Sequence, residues 1–211
     1  MQTDGHFHLP LTNSKWKIAE PHQNPFTTKS RMTNNSKQEI ETLFHNDLKR
    51  YLTSINEIDE HFPEFPDLEE VWPKIGESYL ADGIREFNQY PTVSLGWMMY
   101  IGMAVAKYWD VEWEVYKNVP DLYRYMLDKT DFDHLDDYIC SQILYLDEAG
   151  RTQANNLVAE CASRTYNMLC HQHLAAGSPE AFKAYVAALH QMYVMGIAVE
   201  LKELGYHMSK L

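Results

Sequence analysis

The chain has few cysteines and no long uncharged run, and each shortage argues against a class of protein. It has three cysteines in 211 residues, Cys140, Cys161 and Cys170, without CxxC spacing. An odd, scattered set of this kind argues against a disulfide framework or a zinc site and predicts reduced, mostly buried thiols. Beyond Pro91, which ends the preceding helical pattern, the uncharged runs 91–106 and 184–199 have sixteen residues each. Both are shorter than a typical membrane-spanning helix, so no membrane association is expected.

Basic residues are also scarce. The chain has 18 Lys and Arg against 30 Asp and Glu, a net charge of −12, and its acids concentrate in segments 57–90 and 109–148. An acidic surface repels phosphate backbones and anionic lipid, so no nucleic-acid partner is expected. The first thirty residues contain no apolar run like that of a secretory leader. Together with the reduced thiols, this predicts a cytoplasmic protein.

Several motifs that mark cofactor or catalytic sites are absent. There is no glycine-rich phosphate loop after a strand pattern, no G-x-S-x-G and no H-E-x-x-H. A di-iron bundle needs two E-x-x-H segments, and the nearest match is a single Asp131-x-x-His134 at a helix start, where Asp is expected as a cap. The sequence therefore predicts no metal site, names no cofactor and carries no family signature.

Apolar residues recur at helical spacing through most of the chain, and no segment alternates as a strand would. The pattern predicts an all-α bundle of about six to seven helices, forming a single domain over 36–211. Residues 1–35 lack periodicity and are predicted to be a disordered extension, with Met32 a possible start of translation. Helices are expected over about 36–57, 67–89, 92–118, 119–129, 131–148, 152–176 and 178–205.

Particular residues mark the expected ends of these helices. Ser36 and Glu39 have the spacing of a capping box, which predicts the first helix start. Pro73 predicts a kink or restart in the second helix. Gly150 and Gly177 are expected to end the fifth and sixth helices.

The third predicted helix, about 92–118, should lie at the centre of the bundle. From Leu95 to Ala106 it is apolar on every side, which is typical of a helix buried all round. Gly102 and Ala106 stand four residues apart within this stretch. Side chains this small predict a close crossing with another helix.

Two carboxylates interrupt apolar helix faces. At 100° per residue, Glu112 falls among the apolar residues of the third helix, and Glu200 falls among those of the last helix, with His190 at the edge of that face. An inward carboxylate must be paired, hydrogen-bonded, protonated or bound to a ligand, because burying it bare is costly. Structural pairing is the commoner outcome, so this pattern alone does not establish a site.

Three functions fit these observations. The first is a non-catalytic module that binds a protein partner or itself as a homo-oligomer, since Met- and aromatic-rich helices suit adaptable interfaces. The second is a small-molecule-binding domain with an aromatic pocket around Trp109, Trp113 and Glu112. The third is an enzyme that uses Glu112, Glu200 and His190, with or without a divalent metal. The first has the broadest support in the sequence.

Overall fold

The computed structural model describes residues 34–206, with side chains from residue 38 onward. The predicted extension (1–35), including Met32, lies outside the described residues except for its last two positions, which already belong to the first helix. The Ser36 side chain also lies outside them. Its backbone is helical, so the helix begins before the predicted cap.

Seven α-helices form this part of the chain, and no strand occurs between residues 34 and 206. The predicted all-α bundle is therefore confirmed. The helices are α1 (Asn34–Ser54), α2 (Pro66–Phe87), α3 (Pro91–Tyr116), α4 (Leu122–Leu127), α5 (Leu135–Tyr138), α6 (Glu148–His171) and α7 (Pro179–Glu203).

Helices α3 and α7 cross at the centre of the bundle, and glycine makes that crossing possible. A Cβ atom on Gly102 would collide with the backbone carbonyl of Tyr193 on α7, and a Cβ on Gly196 would collide with that of Met99 on α3. The two backbones thus touch at both points. The predicted close crossing at Gly102 is confirmed, and Gly196 is its counterpart on the other helix.

Helix α7 is the most deeply buried element, because every residue from Gln191 to Leu201 is buried. Among the described helices, α7 alone is long and apolar enough by composition to cross a membrane. Within its apolar segment of 18 residues, 89% is buried inside the fold. A core helix has this same composition, so the finding is weak evidence for a membrane span.

The region predicted as the fifth helix differs from expectation. A 3₁₀ turn (Phe132–His134), the short α5 and a π-helical turn (Ile139–Ile143) replace one continuous helix. Gly150 does not end a helix; it lies in the first turn of α6, where its N–H donates to the capping carboxylate of Asp147 at 2.8 Å. The prediction was wrong because the capping role of Asp147 was missed.

Pro73 lies inside α2 and does not interrupt it, so the helix does not restart there. The helix continues because Trp72 and Ile75, on either side of the proline, are both buried in the core, while Pro73 itself is exposed. Packing of the apolar face outweighs the backbone hydrogen bond that proline cannot make.

The three cysteines are free, and Cys140 and Cys161 are buried while Cys170 is partly exposed. Burial raises the pKa of the Cys140 and Cys161 thiols to about 12. Both are therefore protonated at neutral pH and are poor nucleophiles. The prediction of reduced, mostly buried thiols is confirmed.

Candidate functional site

An open pocket of about 440 Å³ lies between the C-terminal ends of α1 and α7, the N-terminal half of α6 and the middle of α3. We call it the Glu200 pocket. Its polar lining comes from Tyr51, Glu57, Gln153, Asn156, Glu200 and Glu203, and its main apolar lining from Ile55, Met103, Leu144, Leu157 and Val199. It is thus a mixed cavity with aliphatic walls, carboxylates and carboxamides.

Glu200 is the most unusual residue of this pocket. It lies one turn before the end of α7 and one turn after Gly196, on a helix otherwise surrounded by core, and only 7% of it is exposed. Its carboxylate makes no hydrogen bond, and no ion pair within 4 Å, with any residue that the structure describes. A buried carboxylate in this state is costly, so it requires an explanation.

The protonation of Glu200 reflects this burial. Burial raises the pKa of its carboxyl from 4.5 to about 7, with Lys107 opposing the shift and Glu203 and Asp110 adding to it. Lys107 is therefore close enough to act on the carboxylate but does not form an ion pair with it. The group is near half-ionised at neutral pH, which leaves it free to gain or lose a proton in response to a ligand.

The polar lining of the pocket is acidic. Glu57 and Glu203 join Glu200, and no Lys, Arg or His within residues 38–206 lines the cavity. Lys202, the nearest cation in sequence, is directed elsewhere: its Nζ lies 2.9 Å from the carbonyl oxygen of Asn56 and 3.2 Å from the carboxylate of Asp59. The pocket therefore attracts positive charge.

One wall of the pocket is held rigid by a stacked arginine. The Arg164 guanidinium lies over the Tyr51 ring, 4.2 Å from its centroid. Its charge is offset by two carboxylates, with N···O distances of 3.7 Å to Asp47 and 2.9 Å to Glu160. The Glu160 contact is too bent for a hydrogen bond. Glu160 and Arg164 thus form an i,i+4 ion pair on α6. Because it is paired in this way, Arg164 stiffens Tyr51 without neutralising the pocket.

This lining suits an organic cation better than a metal ion. Divalent cations need several oxygen ligands converging within about 2.6 Å. No group of three or more His, Cys, Asp or Glu side chains in the described part of the chain could hold a metal ion. An ammonium group with an alkyl body could pair with Glu200 and cover the aliphatic wall at the same time.

Glu112 does not lie where the sequence predicted. The chain leaves helical geometry at this residue (φ −161°, ψ 62°), and its side chain is exposed. The prediction assumed that α3 stays an ideal helix, turning 100° per residue, so that Glu112 lies on the same buried face as Ile101 and Val105. Beyond Tyr108, however, α3 leaves the core, and Val111 is 63% exposed. The inward-facing position predicted for Glu112 is wrong.

His190 lies on α7 but faces a different part of the molecule. Its Nε2 lies 2.9 Å from the Glu69 carboxylate on α2, and its ring stacks on Trp72 with centroids 4.7 Å apart. Ten residues separate His190 from Glu200, about 15 Å along a helix. The two cannot share a metal or act as an acid/base pair, so the predicted combination with Glu112 and Glu200 is not assembled.

The two tryptophans are placed differently from each other. Trp109 lines a smaller apolar pocket of about 150 Å³, together with Phe65, Leu201 and Tyr206, and its ring meets that of Tyr206 edge-on with centroids 5.4 Å apart. Trp113 is partly buried and lines neither pocket. The predicted aromatic pocket around Trp109, Trp113 and Glu112 is therefore not formed as a unit.

Sequence reasoning missed four polar residues of the Glu200 pocket: Glu57, Gln153, Asn156 and Glu203. None interrupts an apolar face, so helical periodicity carries no signal for them. Glu57 follows the end of α1, while Gln153 and Asn156 lie near the start of α6. Only the packing of α1 and α6 beside α7 brings them to one cavity. Comparison of this chain with protein-family models, curated proteins and solved structures finds no match.

Proposed function

We propose that this chain binds a small organic ammonium ion in the Glu200 pocket. The observation that carries the proposal is a carboxylate that is 7% exposed, lines a cavity and has no partner among the described residues. Stability alone favours an apolar residue or a paired acid at such a position. An unpaired acid facing a cavity is typical of a residue retained for a ligand.

The chemistry of the pocket defines the ligand class. The ammonium group pairs with Glu200, whose residue is only 7% exposed, so their attraction is stronger than that of a fully exposed pair. An alkyl body covers Met103, Leu157 and Val199, each of which lines the cavity. Burying each methylene contributes about 0.8 kcal/mol. An anionic ligand is disfavoured by Glu57 and Glu203.

Calorimetric titration with three probes of matched length tests the proposal. At pH 8, n-pentylamine should bind at one saturable site, n-pentanol should bind much more weakly, and valerate should not bind. Glu200→Gln should lower the affinity for n-pentylamine by about tenfold or more, the worth of a charge-assisted hydrogen bond. Glu60→Gln removes an equal charge from an exposed residue outside the pocket and should change affinity by less than about twofold. Equal binding of amine and alcohol would overturn the proposal.

The proposal also fixes a pH dependence. The probe stays protonated below about pH 9, as a lysine side chain does, while Glu200 titrates near pH 7 under the influence of Lys107, Glu203 and Asp110. A proton on Glu200 competes with the ammonium group. Affinity should therefore rise about tenfold from pH 6 to pH 8 and then level off, and Glu200→Gln should remove this rise.

A second proposal, self-association, is supported by the kinked end of α3. Val111 and Val115 are 63% and 51% exposed there, and Tyr145, close enough to raise the pKa of Tyr116, is 76% exposed. Large apolar side chains exposed together are typical of interaction surfaces. Sedimentation velocity tests it: a dimer that Val111→Glu converts to monomer supports self-association, and a monomer at high protein concentration contradicts it.

A further inference from the structure

The Glu200 pocket contains two separate centres of negative charge. One consists of Glu200 and Glu203, which are one turn apart on α7; Glu203 acts on the Glu200 carboxyl and adds to the rise in its pKa. Lys107, Glu203 and Asp110 are the groups that act on the Glu200 carboxyl.

Glu57 forms the second centre, on the side of the pocket near α1 and α6. The pKa of Tyr51 and that of Cys161 are raised chiefly by burial, and Glu57 is among the carboxylates that add to both shifts. Glu57 follows the end of α1 and Glu200 lies near the end of α7, so the two carboxylates reach the cavity from different segments of the chain.

Neither centre is neutralised by the protein. Glu57 is partly buried, and its carboxylate makes no hydrogen bond or ion pair with residues 38–206. Glu203 is exposed and likewise has no partner in that range. The only cation that acts on Glu200, Lys107, is more than 4 Å away and does not line the pocket. A ligand with a single ammonium group would leave one centre uncompensated.

The rest of the pocket lining is apolar or neutral. Met103, Leu157 and Val199 supply its aliphatic part, and Gln153 and Asn156 supply carboxamides. A polymethylene chain can lie along the aliphatic part, and the amide oxygens can accept from an N–H group along such a chain. Charged ends joined by an apolar middle match this arrangement.

We infer that the ligand carries two ammonium groups joined by an aliphatic chain, as in an α,ω-diamine or a linear polyamine. One group pairs with Glu200 and Glu203, and the other pairs with Glu57. The inference rests on the proposed function, because it assumes that the pocket binds ammonium compounds at all. What it adds is the number of charges and a role for Glu57.

The test compares cadaverine with n-pentylamine, which has the same carbon chain but one ammonium group. In calorimetric titrations at pH 8, the native chain should bind cadaverine at least about fivefold more tightly, the worth of one partly exposed ion pair. Glu57→Gln should remove this preference, so that cadaverine and n-pentylamine bind the variant with affinities within about twofold of each other. Glu200→Gln should weaken both ligands.

The control is Glu60→Gln, which removes an exposed acid outside the pocket. It should preserve the cadaverine preference, which separates a local contact from the general attraction of an acidic protein for a dication. Equal affinities for the two amines in the native chain would overturn the inference while leaving the proposed function standing. Absence of binding by both amines would overturn the proposed function itself. A cadaverine preference retained in Glu57→Gln would also contradict the inference.

Discussion

Replacing Glu200 with glutamine should stabilise the protein at alkaline pH and have little effect at acid pH. Glutamine has the same shape and carries no charge, so the substitution removes only the cost of burying an ionised carboxylate. Because burial raises the pKa of this carboxyl from 4.5 to about 7, that cost depends on pH. The size of the effect can be worked out from the shift.

Below pH 4.5 the carboxyl is protonated in both the folded and the unfolded state, and no cost arises. Between pH 4.5 and pH 7 the unfolded chain ionises first, so the folded state loses stability as pH rises. Above pH 7 both states are ionised and the cost is complete. A rise in the Glu200 pKa from 4.5 to about 7 corresponds to a loss of about 3 kcal/mol in the free energy of unfolding. The free energy of unfolding of Glu200→Gln should thus exceed that of the native chain by less than about 1 kcal/mol at pH 5 and by about 3 kcal/mol at pH 8.

Urea unfolding followed by circular dichroism at pH 5, 6, 7 and 8 measures this difference. Glu60→Gln is the control, because Glu60 is exposed and does not line the Glu200 pocket; the difference in unfolding free energy between this variant and the native chain should change little with pH. A Glu200→Gln variant that is less stable than native at pH 8 would refute the reasoning. It would mean that the ionised carboxylate is compensated within the fold.

Other predictions concern the packing that places the pocket. Gly102→Ala and Gly196→Ala should each lower the free energy of unfolding by about 1–3 kcal/mol, because the added methyl group meets the backbone of the other helix. Unchanged midpoints of urea unfolding would contradict this, since they would show that the crossing can relax. His190→Ala should cost about 1–2 kcal/mol through loss of the Glu69 contact and the ring stacking. His171→Ala, at an exposed position, should cost less than about 0.5 kcal/mol by the same assay.

The fold could be predicted from the sequence where one helix carries a strong local signal. The stretch around Gly102 is apolar on every side and contains small residues four apart, and this pattern has one physical solution, a close buried crossing. Glu200 was found for a related reason: it interrupts the apolar face of a helix buried from Gln191 to Leu201. Its burial is confirmed, while its role in binding stays a proposal.

The rest depended on tertiary structure that periodicity does not report. Glu112 was misplaced because an ideal helix was extended through a residue where the backbone bends and α3 leaves the core. Glu57 was missed because it belongs to the pocket only through the packing of α1 beside α7. His190 was assigned to the wrong neighbours because its partner, Glu69, lies 121 residues earlier in the chain.

Methyl NMR of the protein labelled with ¹³C at the methionine methyl groups tests most directly whether the Glu200 pocket binds ammonium compounds. Met103 lines the pocket, whereas Met126 is buried in α4 and does not line it. Titration with n-pentylamine at pH 8 should shift the Met103 signal along a saturable curve and leave Met126 unchanged, and Glu200→Gln should move the midpoint of that curve to an amine concentration about tenfold higher or more. A Met103 signal that does not move at saturating amine, or that moves equally in Glu200→Gln, would contradict binding at this site.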